Sequence, residues 1–245
     1  MRGAGLLGVV LLLSSLAGPP AAAETVDLQL VLAADVSRSM TEEQFRLQRK
    51  GYAEALTDER VLKAITSGPY RAVAITFVEF AGATDQKVVV DWTIVRDTES
   101  AGIFSDILMS APRSFYGWTS ISAAIDYSVY RLKSSGVESE RMAIDVSGDG
   151  TNNSGRPVAS ARDDAVAQGV VINGLPIINN SPTTFNPEHT HPTGGLPEYY
   201  RQNVIGGPGA FHIVVEGFET FAEGITKKLI SEIADVPPDA RHAAR

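Results

Sequence analysis

Three short polar segments carry most of the oxygen chemistry in this chain. They are Asp35-Val36-Ser37-Arg38-Ser39, Gly117-Trp118-Thr119-Ser120 and Ser147-Gly148-Asp149-Gly150. Alternation in the first lets the carboxylate of Asp35 and the hydroxyls of Ser37 and Ser39 converge. Thr119 adds a third hydroxyl and Asp149 a second carboxylate. These are hard oxygen donors suited to Mg²⁺, with Mn²⁺ or Ca²⁺ as alternatives. Because three of the five are neutral, a bound cation stays electrophilic, and Mg²⁺ commonly keeps open or water-filled positions. A carboxylate from a partner can fill one.

The elements around these segments read as strands alternating with helices. Val26 to Ala34 begins with alternation and becomes wholly apolar, the pattern of a strand buried on both faces. Thr41 and Gln44 form a capping box for a helix whose apolar stripe is Phe45, Leu47, Tyr52, Ala55 and Leu56, with Arg46, Arg49 and Lys50 mostly outside, and Gly68-Pro69 closes the region. Strands are expected over Arg71–Phe80 and Gln86–Val95, joined as a hairpin, then a helix over Thr98–Met109 with Ile103, Phe104, Ile107 and Leu108 inward. A helix over Ser120–Leu132, a strand over Arg141–Val146 and a helix from Pro157 to about Gln168 follow. The remainder reads as a strand over Val170–Ile178, a long surface loop over Asn179–Pro197, a short helix over Leu196–Val204, a strand over Ala210–Val215 and a helix over Phe218–Ile233. This order predicts an α/β fold: a doubly wound, mostly parallel sheet of about six strands, with one antiparallel edge strand and helices on both faces. The polar segments then sit at strand ends or before a helix, where ligands gather in open α/β sheets.

Asp-x-Ser-x-Ser, a loop threonine, and Asp-Gly after the fourth main strand resemble, in that order and context, the metal-ion-dependent adhesion site of von Willebrand factor A domains. Ile144 to Gly150, followed by Asn152-Asn153, is similar more narrowly to a family of uncharacterised exported bacterial proteins carrying that domain. The resemblance spans nearly the whole chain after residue 23. It implies a Rossmann-like fold, a divalent cation at Asp35, Ser37, Ser39, Thr119 and Asp149, and a protein partner that offers an acidic side chain. Many relatives have a small residue where Trp118 stands, so Trp118 is expected to narrow access to the cation or to wall a ligand. Asp145 lies in an apolar strand and needs a partner. It is expected to orient the ligands from behind, with Ser147, and direct ligation is the sharper alternative.

Composition limits the function classes. The 245 residues carry a formal net charge of -8, which argues against nucleic-acid binding. Arg2, the apolar run Leu6–Leu16 and Ala21-Ala22-Ala23 read as a signal peptide over residues 1–23. That run is short for a membrane span, which needs about 20 apolar residues. Export to the periplasm or outside the cell is expected, with a domain over 24–235, a flexible tail over 236–245 and no stable membrane insertion. There is no cysteine, so no disulfide helps the exported fold. A hydrolase has little support, because Gly-x-Ser-x-Gly, a P-loop and His-Glu-x-x-His are all absent. A purely structural metal is a third possibility. Simple readings are assigned elsewhere: the His189-x-His191 pair is able to bind a transition metal but reads as solvated, because such sites usually need three or four ligands; Glu79 reads as solvated, with a place near the site as the alternative; His212 is structural, Lys227-Lys228 lies on a helix face, and Trp92, Phe77 and Phe80 are in packing.

Overall fold

The computed structural model describes residues 23–179 and 187–234. The expected signal peptide, apart from Ala23, and the expected tail lie outside the described residues. Strands β1 (Leu28–Asp35), β2 (Val73–Phe80), β3 (Gln86–Val95), β4 (Met142–Gly148), β5 (Val170–Ile178) and β6 (Val215–Glu216) form one sheet in the order β3-β2-β1-β4-β5-β6. Every pairing is parallel except β2 with β3. The chain runs from β1 to β2 on one side and returns to β4 on the other. The topological switch point therefore falls between β1 and β4, whose ends carry Asp35 and Asp149.

Alternation along the central strands separates two apolar layers. Leu28, Leu30 and Leu32 of β1 face a layer built from α1 (Glu42–Thr57), α2 (Glu59–Ile65), α3 (Thr98–Ser110) and α8 (Phe221–Ile233), where Tyr52, Phe104 and Phe221 are buried. Val31 and Ala33 face a layer containing α4 (Ile121–Lys133), α5 (Val158–Val166) and α7 (Leu196–Tyr199), the last continued by a π-type turn over Tyr200–Val204. Burying both faces of β1 gives its continuous apolar run a physical cause.

Several local expectations are revised. The capping box of Thr41 and Gln44 forms, but the first helix stops at Asp58, whose side chain accepts from Arg60 N–H and starts α2. On α3 only Phe104 and Leu108 of the four expected residues are buried, while Ile103 and Ile107 are exposed. The last strand is reduced to Val215–Glu216, with His212 half-buried at an isolated bridge to Gly174. Of the expected loop over Asn179–Pro197, residues 180–186 lie outside the described residues, and α6 (Pro187–Thr190) occupies part of the rest.

Three charged side chains expected at the surface are buried. Arg49 and Glu79 pair at 2.5 Å, and Lys228 has no exposed surface. Lys228 belongs to the buried stripe Phe221, Ile225, Leu229 and Glu232 of α8, so its position on the helix carries it inward. Its Nζ lies 2.6 Å from Asp145 Oδ1 and 2.6 Å from Glu232 Oε1, while Asn173 Nδ2 donates to the same Glu232 oxygen at 2.8 Å. One ammonium thus faces two acids. Burial, opposed by Lys228 and reinforced by Glu232, raises the Asp145 carboxyl to about 7. Removing one partner from a buried ion pair leaves a charge without compensation and costs about 3–5 kcal/mol. Lys228→Met should therefore lower unfolding free energy by about that amount in urea titrations, whereas a loss within the ordinary surface range would contradict the pairing.

Candidate metal centre

The five expected donors come together. Asp35 ends β1, Ser37 and Ser39 follow in the next turn, Thr119 precedes α4 and Asp149 follows β4. All but Ser39 are buried. Thr119 Oγ1 donates to Ser37 Oγ at 2.8 Å, Ser37 Oγ and Ser39 Oγ are 3.0 Å apart, and Ser39 Oγ donates to Asp149 Oδ1 at 2.6 Å. Ser39 spends its only proton on Asp149, so Ser37 must donate to Ser39. The hydroxyls thus form one directed chain ending on a carboxylate.

Asp35 closes the other side. Ser37 N–H donates to its Oδ1 at 2.8 Å, while Oδ2 is buried with no hydrogen-bond partner. Burial first, then the nearby charge of Asp149, raises the Asp35 carboxyl to about 7 against the Ser37 N–H bond and the charge of Arg113 that lower it. An orphaned carboxylate oxygen, a second carboxylate and three hydroxyls each retaining a lone pair fit a hard divalent cation. Among the described residues no three His, Cys, Asp or Glu side chains gather into a metal cluster. The arrangement depends on serine and threonine oxygens instead.

The loops are held largely through their backbones. Arg113 Nη2 donates to the carbonyls of Val36, Ser37 and Met40, fixing the first loop. Arg49 binds Glu79 and donates to the carbonyls of Leu108, Ala111 and Pro112, while Ser114 N–H donates to Glu79 Oε2. That pair pins the segment leading to Thr119 onto β2. Asn152 Oδ1 accepts from Ser122 N–H and Asn153 Oδ1 from Thr119 N–H, joining the third loop to the second. Gln44 Nε2 donates to Asn179 Oδ1, and Asn179 Nδ2 donates to Asp149 Oδ2 at 2.8 Å. A Cβ on Gly148 would lie 3.0 Å from Asp35 Oδ2 and from Tyr200 Oη, so a side chain there would crowd the carboxylate.

The three further residues expected around the donors separate. Ser147 accepts from Tyr52 Oη at 2.8 Å and so anchors β4 to α1. Asp145, two residues earlier on the same side of β4, is drawn to Lys228 and bonds none of the five donors. Trp118 is 53% exposed, with the Arg38 guanidinium 4.2 Å over its ring, and stands at the rim. The solvated reading of His189 is corrected: the ring is buried, with Nε2 3.3 Å from Thr119 Oγ1, whereas His191 is exposed. Arg113 and Asn179 had no motif to reveal them, and the His189-x-His191 pair stood out only as a solvated or transition-metal pair, not as a neighbour of Thr119. Asn153 did stand out in the sequence, but its role did not.

The raised Asp35 carboxyl sets a pH dependence. Its folded value of about 7 lies well above the ordinary aspartate value of 3.8, so the folded chain keeps a proton the unfolded chain loses. The associated stability is fully present below about pH 4 and is lost as pH rises through about 7. Asp145 contributes in the same direction. A cation held by these residues would require ionised Asp35 and would release its proton. In EDTA the melting temperature should fall between about pH 5 and 8, and the rise produced by Mg²⁺ should grow over that range. A metal-induced rise that shrinks toward pH 8 would contradict this.

Comparison with known proteins supplies the family and the fold. No curated protein matches the sequence. Proximal thread matrix protein 1 from the mussel byssus is 13% identical, with a TM-score of 0.61 over 86% of this chain and 49% of that one. This chain thus spans about half of the mussel protein's length, and another structure of that protein is described as having a zinc-occupied MIDAS motif. An aerotolerance-related membrane protein from Bacteroides fragilis is 20% identical, with a TM-score of 0.52 over 85% of this chain and all of that one. A von Willebrand factor type A structure from Catenulispora acidiphila is 14% identical, with a TM-score of 0.57 over 85% of this chain and 43% of that one. Matched over residues 25–237 by the family described as protein of unknown function (DUF1194), the chain belongs to that family and has a von Willebrand factor A-like fold.

Proposed function

We propose that this chain is an exported, metal-dependent protein-binding module. A divalent cation, Mg²⁺ first, is held by Asp35, Ser37, Ser39, Thr119 and Asp149, and a carboxylate from a protein partner completes its coordination. The observation that carries this reading is the buried, unpartnered Oδ2 of Asp35 beside the hydroxyl chain that ends on Asp149. A buried polar atom without a partner is costly, and a cation compensates it together with the like charge of Asp149. Neutral hydroxyls leave positive charge on the cation for an acidic partner. Trp118 and Arg38, both exposed beside Thr119 and Ser37, lie where that partner would dock. Arg38 adds a positive group and Trp118 an aromatic face. Adhesion-type neighbours support the choice of a binding module over an enzyme, and they include a pilus adhesin from Lactobacillus rhamnosus.

Two measurements test the reading. Mg²⁺ at a hundred times its Kd should add about 2.7 kcal/mol to the stability of the chain from Glu24 onward, raising its melting temperature by roughly 5–10 °C. Asp35→Ala should abolish that rise. Panning a random peptide library on the immobilised protein in Mg²⁺, with elution by EDTA, should enrich sequences that share an Asp or Glu. Enrichment that persists in EDTA would overturn metal-dependent binding, and a melting curve indifferent to Mg²⁺, Mn²⁺ and Ca²⁺ would remove the metal itself.

A further inference from the structure

His189 reaches the centre from α6, 70 residues beyond Thr119 in sequence. Its ring lies against the third loop, where a Cβ on Gly150 would come within 2.2 Å of Nε2. The residue after Asp149 must therefore be small for the imidazole to fit. Thr151 N–H donates to the His189 carbonyl at 2.9 Å and holds its backbone in place.

Hydrogen-bond donors and acceptors fix which ring nitrogen carries the proton. Thr119 N–H donates to Asn153 Oδ1 at 2.8 Å, which leaves the amide NH₂ of Asn153 turned to His189 Nδ1 at 3.2 Å. An amide nitrogen only donates, so Nδ1 accepts, and Thr151 Oγ1 at 3.2 Å can donate to the same atom. The neutral ring then carries its proton on Nε2, 3.3 Å from Thr119 Oγ1. Thr119 has already given its own proton to Ser37. It therefore accepts from His189 with one lone pair and keeps the other.

We propose that His189 is a positioning residue of the metal centre: its Nε2–H fixes the Thr119 hydroxyl, and with it the direction of the whole hydroxyl chain, so that a Thr119 lone pair is free for the cation. The proposal rests on the metal reading given above. The chain of donors runs from His189 through Thr119, Ser37 and Ser39 to Asp149. Asn153 sets it at one end and a carboxylate at the other. Without the imidazole the Thr119 hydroxyl can rotate away from Ser37, and the order of the donors is lost.

Isothermal titration with Mg²⁺ of the wild-type chain, His189→Ala and His189→Gln tests this. Loss of a group that orients a metal ligand typically weakens affinity 10–100-fold, and His189→Ala should fall in that range. His189→Gln retains an N–H of similar reach and should recover most of the loss. In EDTA His189→Ala should melt below the wild type, because a buried ring and its bonds are lost, so Mg²⁺ affinity is compared well below that melting temperature, and its recovery in His189→Gln separates positioning from a purely structural effect. Equal Mg²⁺ affinity in wild type and His189→Ala would overturn the positioning role alone. Absence of binding of any cation by the wild type would overturn the metal reading and this role together. In the Mn²⁺-loaded protein, a nitrogen coupling in pulsed EPR that disappears in His189→Gln would show direct ligation and so overturn positioning.

Discussion

Two carboxylates, Asp35 and Asp149, are brought to one crevice beside the switch point of a sheet whose central strand is buried on both faces. Neither has a lysine or arginine in an ion pair among the described residues. Burial disfavours the charge of Asp35, and the nearby charge of Asp149 disfavours it further. Neutral donors manage what charge neutralisation does not: a backbone N–H and a serine turn on one side, and hydroxyls and an amide on the other. Such a site has a deficit of positive charge built into it, and a proton or a cation relieves it.

The cationic side chains nearby are used differently. Arg113 and Arg49 direct most of their N–H groups at backbone carbonyls of the loops and of the last turn of α3. The planar guanidinium suits this role, since it can satisfy several fixed acceptors at once. The result is a frame that holds irregular segments in place while leaving the space between the carboxylates to another charge. Glu79 completes the frame by fixing Arg49 and the N–H of Ser114, which is why an acid on an otherwise apolar strand is buried.

The cluster of Lys228, Asp145 and Glu232 beneath β4 follows a different logic. Alternation along β4 puts Asp145 and Ser147 on the side of α1 and α8, opposite Ile144 and Val146. Ser147 meets a tyrosine and Asp145 meets an ammonium, so polar groups within the strand tie two helices to the sheet. Burying two acids against one lysine leaves a surplus of negative charge, which the raised Asp145 carboxyl relieves by holding a proton.

The sequence by itself determined the order of the main strands and helices and the sheet class, and it picked out the five oxygen-bearing residues that the fold brings together, because each leaves a local trace. Period-two and fully apolar runs mark strands, the Thr41–Gln44 box marks a helix start, and Asp-x-Ser-x-Ser keeps its oxygens within a few residues. Only the tertiary structure decided the partners. Arg49, Glu79 and Lys228 read as surface charges because hydropathy describes a side chain alone, whereas burial depends on an opposite charge arriving from a distant element. Asp145 read as support for the metal ligands because it lies near them in sequence, but strand parity turns it to α8. His189 read as a solvated loop residue, and it meets Thr119 only because α6 folds back over Gly150. Contacts of this kind join residues about 30 to 110 positions apart, and no local pattern encodes which distant surface will be brought to meet them.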